Sequence, residues 1–218
     1  MEPFVVENAI NTCYIDSLLM GLLYTPSQIS TILNSDLKDG MGIYLQEYIK
    51  EKFVNNVRSN KSVLLDDMEM IRVISSHAGW LNQKEYLEQQ DVGEYYIFLT
   101  NLFEIEKIEI RRKSLILNTN GNTTGSKEVI PYIPLSLPKG PKGSKVESIT
   151  IKKMLMMWQY DNITNIGNNN VLNTYDIINN PFILCLSINR FDNNGERIDT
   201  NVIIQKKIHI NEQMLNTN

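Results

Sequence analysis

Two cysteines and two histidines are the only side chains of their kinds in this sequence of 218 residues, so candidates for nucleophilic chemistry are few. Cys13 follows the polar run Asn11-Thr12 and precedes the apolar Leu18-Leu19 and Leu22-Leu23. That order puts a thiol at a helix start, where the partial positive charge and unpaired N–H groups favour the thiolate, the species that attacks carbonyl carbon. The same N–H groups could hold the oxyanion of a tetrahedral intermediate, and Asn8, five residues upstream, offers a side-chain amide as a further donor. A second constellation, Gln89-Gln90-Asp91 with Glu94, sets two carboxylates at the start of a later apolar period. Asp91 and Glu94 read as a capping box. Cys185, between Leu184 and Leu186, reads as a core residue.

These groups need elements to carry them. A helix is expected over Tyr14 to Leu23, with Leu18, Leu19, Leu22 and Leu23 on its inner face. After Gly40 and Gly42, Leu45, Ile49, Phe53 and Val57 form one stripe of a second helix. A third helix falls near Leu65 to Ser75 with Met68, Ile71 and Ile74 inward. A fourth starts at Asp91 and runs to about Phe103 with Val92, Tyr95, Tyr96, Leu99 and Phe103 on one face. Beyond Phe103 the period shortens to alternation, at Ile108 and Ile110, Leu115 and Leu117, and again over Val129 to Leu137, which reads as antiparallel sheet. Asn118 to Gly125 and Lys139 to Ser144 read as loops. One more helix carries Ile151, Met154, Leu155 and Trp158, and Asp161 to Asn173 is expected to be disordered or a flexible hairpin tip. Phe182 to Phe191 reads as a buried strand, Asp192 to Gly195 as a turn and Val202 to Ile210 as the returning strand.

Composition bounds the rest. A hydrophobic content of 42% with 21% charged residues and a net charge of -4 is that of one globular domain with no electrostatic footprint for nucleic acid. No apolar run has the length of a membrane helix, so no membrane partner is expected. Two thiols without CxxC spacing exclude a disulfide framework and a cysteine zinc site, and no metal or cofactor is expected. Free thiols and the lack of a secretory signal point to an intracellular, cytoplasmic or nuclear, setting. Asn-rich patches such as Asn168-Asn169-Asn170 read as the coding bias of an AT-rich genome, such as that of a virus or parasite.

The order of motifs is more specific than any one of them. Asn8-Ala-Ile-Asn-Thr-Cys13-Tyr-Ile-Asp-Ser resembles the cysteine box of ubiquitin-specific proteases, Asn-x-Gly-Asn-Thr-Cys-Tyr-Met-Asn-Ser. Gln89-Gln90-Asp91-Val-Gly-Glu94-Tyr-Tyr-Ile-Phe-Leu resembles that family's Gln-Gln-Asp-Ala-x-Glu-Phe box, and Pro181-Phe-Ile-Leu-Cys-Leu-Ser-Ile-Asn-Arg-Phe191 its Pro-x-x-Leu-x-x-x-Leu-Lys-Arg-Phe strand. Ile133 to Pro138 with the following helix resembles the segment ahead of the family's fingers. The resemblance, from about residue 4 to 210, implies an α+β, papain-like fold in one domain. Residues 1–104 would form a helical thumb, 105–210 an antiparallel β palm with reduced fingers, and 211–218 a tail. It implies Cys13 as nucleophile, Asn8 as oxyanion donor, and Gln89, Asp91 and Glu94 as contacts for the tail of ubiquitin, with ubiquitin and ubiquitinated proteins as partners.

The departures are equally definite. The family's general base comes from a late box, His-x-Gly then Gly-His-Tyr, which is absent here. His77 and His209 lie elsewhere in the pattern and read as structural or surface residues. Truncation is the simplest account: either this is a fragment of a longer enzyme, or the gene product ends without the base. The chain would then be either a cysteine-type deubiquitinase completed from beyond residue 218 or a catalytically silent ubiquitin-binding or scaffold protein. Ile10 stands where the family has glycine, which stiffens the loop before the nucleophile, and Asp16 replaces an asparagine.

Overall fold

A computed structural model describes residues 4–25, 32–81, 87–117, 124–138, 140, 146–167, 169–192 and 194–208. The chain divides into two compact units, Met1–Glu106 and Lys107–Asn218.

The first unit is helical. Helix α1 spans Cys13–Leu23 and buries Tyr14, Ile15, Leu19 and Leu23. Its inner face is therefore rotated from the expected one, because the aromatic ring of Tyr14 and the branched Ile15 go inside and leave Leu18 and Leu22 half-buried. Helix α2, Gly40–Tyr48, starts on Asp39, whose side chain accepts from the Gly42 N–H. It continues through a π-helical stretch, Ile49–Val54, into α3, Asn55–Arg58. Leu45, Ile49, Phe53 and Val57 are all buried as the sequence pattern predicts. A four-residue repeat drifts around a helix of 3.6 residues per turn, and the wider i→i+5 turn absorbs the drift. Helix α4, Leu65–His77, buries Met68, Ile71 and Ile74. Helix α5, Val92–Leu102, buries Tyr95, Tyr96 and Leu99, with Phe103 buried just beyond its end. Val92 is exposed instead of joining this face, since the first helical residue projects past the core edge.

The second unit is mostly sheet. Strands β1 (Ile108–Ile116), β2 (Thr124–Ile130), β5 (Asn162–Ile166) and β6 (Asn169–Ile177) form an antiparallel sheet in the order β2-β1-β6-β5. The expected extended stretch Val129 to Leu137 bends after Ile130, and β3 is Ile133–Ser136. β4 is Ser148–Thr150, and Thr150 caps α6, Ile151–Tyr160, by accepting from the Lys153 N–H at 3.2 Å. Ile151, Met154, Leu155 and Trp158 of α6 pack with Ile108, Ile110, Ile133, Leu135 and Ile177 in the core of this unit.

Four expectations fail here. Within the segment Asp161 to Asn173, β5 and the first residues of β6 pair as antiparallel strands, with Ile163 opposite Leu172 and Asn162 opposite Asn173. Its asparagines hid the pattern, because Asn173 is buried as a hydrogen-bonding hub instead of solvated: its Oδ1 accepts from Arg112 and Ser114 and its Nδ2 donates to Thr164. Phe182 to Phe191 yields only a short strand, β7 (Leu186–Asn189), whose residues are half-buried except for exposed Asn189. Cys185 is likewise half-buried and not a core residue. The strand β8, Asn201–Ile203, does not return antiparallel on β7 but pairs in parallel with β4, while β7 pairs in parallel with β3. An apolar run specifies burial propensity without naming its neighbour, and the turn after Phe191 closes only a single bridge, Phe191 to Arg197. Most of the expected loops Asn118 to Gly125 and Lys139 to Ser144, and the end of the returning strand with His209, lie outside the described residues.

Candidate active site

The segment ahead of α1 is tethered along its length. The Val63 N–H donates to the Val5 carbonyl at 2.9 Å, the Glu7 N–H donates to the Val63 carbonyl at 3.0 Å, and the Glu7 carboxylate accepts from the Leu65 N–H at 2.9 Å. Ala9 is buried, and its carbonyl accepts from the Thr12 N–H at 3.2 Å, closing a tight turn. Within that turn Asn11 takes the left-handed conformation, φ +58°, which asparagine tolerates better than most residues. Its side-chain amide donates to the Leu87 carbonyl at 2.9 Å, tying the loop to the segment that leads into Gln89.

The chain emerges from this turn at Thr12, fully buried, and Cys13, exposed as the first residue of α1. Thr12 does not cap the helix through its side chain. Its hydroxyl instead donates to Asn8 Oδ1 at 2.8 Å, with the Ala9 carbonyl at 3.2 Å as a second acceptor. With its oxygen so engaged, the exposed Asn8 side chain keeps Nδ2 as a donor. As the first residue of the helix, Cys13 has an N–H with no intrahelical acceptor. A thiol, an amide nitrogen and a helix-start N–H therefore come from one continuous turn.

Behind the thiol, Tyr14 points inward against Tyr95, ring centroids 5.2 Å apart and nearly perpendicular, and accepts from Trp80 Nε1 at 3.1 Å. Tyr95 Oη pairs with Ser75 Oγ at 2.9 Å. This aromatic packing sets α1 against α5, so that the Asn8 to Cys13 segment and the Gln89 to Glu94 segment lie in one unit. Asp91 caps α5: its Oδ1 accepts from the N–H groups of Gly93 at 2.6 Å and Glu94 at 3.1 Å. Both of those bonds use one oxygen, and Asp91, Glu94 and Gln89 are all exposed.

Two residues matter locally that the sequence pattern did not mark as functional. Asp16, in the first turn of α1, has a buried Oδ1 without a hydrogen-bond partner. Burial raises its carboxyl pKa from 3.8 to about 6, against the lowering effect of a hydrogen bond with Thr12. Arg72 of α4 is 2% exposed, and its guanidinium donates to the Ile10 carbonyl and to the Glu69 carboxylate. Its signal in the sequence was a cation four residues after Met68 on an otherwise apolar helix face.

His77 is exposed at the end of α4, where Nδ1 lies 2.8 Å from the Val73 carbonyl of its own helix. Among the described residues, no group of three His, Cys, Asp or Glu side chains is placed to hold a metal ion. No described helix is long and apolar enough to cross a membrane. In the second unit a cleft of about 170 Å³, lined by residues including Pro134, Met157, Trp158 and Ile163, contains none of the candidate residues.

An exposed cysteine at a helix start thus sits in a helical unit, and the unit that comes next in sequence is built mainly of antiparallel sheet. The sequence profile of the ubiquitin carboxyl-terminal hydrolase family matches residues 5–218, and the chain belongs to that family. No curated protein matches it. Among solved structures it is similar to a chain in the structure of the SAGA Ubp8/Sgf11/Sus1/Sgf73 DUB module bound to ubiquitin aldehyde. That likeness has a TM-score of 0.60 at 15% identity and covers 94% of this chain and 51% of the other. The fold is thus the papain-like fold of the family, and the chain spans about half the length of the structure it matches.

Proposed function

We propose that this chain is a cysteine-type deubiquitinase that hydrolyses the isopeptide or peptide bond after the C-terminal glycine of ubiquitin through a Cys13 thioester. The Thr12–Asn8 hydrogen bond carries the reading most directly, because it leaves an amide N–H beside the residue that precedes an exposed helix-start thiol. Cys13 Sγ attacks the glycine carbonyl carbon, and the oxyanion that forms accepts from Asn8 Nδ2 and the Cys13 N–H. The C–N bond then breaks, the amine leaves with a proton, and a thioester remains for water to hydrolyse. Gln89, Asp91 and Glu94 face the basic tail of ubiquitin, Asp91 through the carboxylate oxygen its cap leaves unused.

This cycle needs a group to take the thiol proton and return it to the amine. Neither histidine of the sequence is assigned that part: His77 is turned to its own helix, and His209 lies outside the described residues. The second reading is a catalytically inactive ubiquitin-binding or scaffold protein derived from a deubiquitinase that has lost its histidine box.

Incubation with ubiquitin bearing a C-terminal electrophile tests the first reading. Labelling of wild type and none of Cys13→Ala is expected. Folded wild type that binds ubiquitin but neither labels nor hydrolyses a fluorogenic ubiquitin amide leaves the binding reading in its place.

A further inference from the structure

We propose that Arg72 is a positioning residue for the nucleophile loop, holding the Ile10–Asn11 peptide plane so that the Asn8 amide and Cys13 face the same point. The inference rests on the reading of Cys13 as nucleophile and deepens it.

The loop from Asn8 to Cys13 is fixed by several separate bonds. Thr12 holds Asn8, the Ala9 carbonyl holds the Thr12 N–H, and the Asn11 side chain holds Leu87. Ile10 has no comparable packing, since its side chain is 70% exposed. What fixes Ile10 is its carbonyl, which accepts from Arg72. That carbonyl belongs to the same peptide plane as the Asn11 N–H, so its direction is coupled to the positive φ of Asn11. Rotation of the plane away from Arg72 would carry Asn11 toward an ordinary conformation and swing the chain at Thr12 and Cys13.

The sequence makes such an anchor necessary. A β-branched side chain at position 10 narrows the backbone choices, and a non-glycine residue at positive φ persists only where its surroundings hold it. Arg72 itself argues for a role beyond filling space. Its helix face is apolar at Met68, Ile71 and Ile74, where a hydrophobic side chain would pack without the penalty of burying a cation. The guanidinium is retained and oriented by Glu69, one turn earlier on the same helix, which turns its fork toward Ile10. Lysine could reach one of these acceptors but has no planar fork to join both.

The test compares wild type, Arg72→Lys, Arg72→Met and Glu69→Gln in three measurements. These are kcat and KM on a fluorogenic ubiquitin amide, the rate of Cys13 alkylation by iodoacetamide, and the thermal melt. Misplacing the loop removes transition-state alignment while leaving the groove and thiol exposure intact. The expected loss in kcat is about 100-fold for Arg72→Met and about tenfold for Arg72→Lys and Glu69→Gln. KM and the alkylation rate should stay within about threefold of wild type, because alkylation needs no oxyanion site.

A structural role alone predicts a lowered melting temperature with kcat per folded molecule unchanged, and that result overturns the proposal. Equal losses in alkylation and hydrolysis also overturn it, by showing a buried or blocked thiol. If Arg72→Met does not fold, Glu69→Gln, on a partly exposed residue, decides the matter by the same criteria. Wild type that never processes ubiquitin removes the deubiquitinase reading and this proposal with it, a result distinct from active wild type with equally active variants.

Discussion

Thr12 donates its hydroxyl to Asn8 Oδ1 across 2.8 Å, and the two residues lie at opposite ends of the turn that delivers Cys13. A buried hydroxyl thereby chooses which end of an exposed amide faces outward. Thr12→Val keeps the volume and removes that choice, while Asn8→Ala removes the donor itself. We expect kcat on a fluorogenic ubiquitin amide to fall about 100-fold for Asn8→Ala and about tenfold for Thr12→Val. Loss of one buried hydroxyl bond should destabilise Thr12→Val by about 1 kcal/mol in urea unfolding. Unchanged kcat in both variants would remove Asn8 from the oxyanion site.

Asp91 caps α5, and under the proposed function it also meets the ubiquitin tail. One oxygen makes the cap bonds, and the proposal gives the other to a cation of the incoming peptide. Asparagine caps a helix as well as aspartate does but carries no charge. Asp91→Asn should therefore melt like wild type while its KM for ubiquitin substrates rises about tenfold, and its KM should lose much of the salt dependence seen in wild type. Asp91→Ala should add a loss of about 1 kcal/mol in stability. Equal KM values for wild type and Asp91→Asn at low salt would confine this residue to capping.

The candidate site was legible in sequence where one residue type does one local job. Cys13 at a helix start and Asp91 as a cap each follow from short spacing, and each takes the expected place in its helix. Helices with sustained stripes, such as Leu45 to Val57, were equally readable because periodicity records a single buried face. What escaped depends on partners far along the chain. Arg72 meets Ile10 across the unit, Asn11 meets Leu87, and no local pattern encodes either bond. The hairpin around Asn173 escaped for a related reason: a buried asparagine looks solvated until Arg112, Ser114 and Thr164 are known to surround it.

Asp16 gives the first turn of α1 a pH dependence. Its pKa in the folded chain, about 6, lies above the ordinary 3.8, so the native state holds the proton more tightly than the unfolded chain. The native state then binds more protons between about pH 4 and 6, and stability falls as pH rises through that window before levelling off. Asp16→Asn cannot ionise and escapes this loss. The variant should be more stable than wild type at pH 7 by about 1 kcal/mol, a figure reduced for the partial solvent screening of the group. The difference between them should shrink as pH falls from 6 to 4. Thermal melts across that range check it, and a constant difference from pH 4 to 7 would show that Asp16 does not titrate as its burial requires.

The sheet of the second unit places its own demand on Asn173, which is 1% exposed and joins three strands through side chains. Its oxygen accepts from Arg112 Nε at 3.1 Å and from Ser114 Oγ at 2.7 Å, and its amide donates to Thr164 Oγ at 3.1 Å. Replacement by alanine takes the shared partner from a half-buried guanidinium and two hydroxyls, and leaving such donors unmet costs more than their net bonds contribute. Asn173→Ala should lose about 2 kcal/mol in denaturant unfolding. Asn173→Asp should lose less, because a carboxylate still accepts from Arg112 and Ser114 and gives up only the donor to Thr164, which can itself donate to the new oxygen. If the alanine and aspartate variants unfold at the same urea concentration, the Arg112 contact contributes nothing and shape alone holds these strands in register.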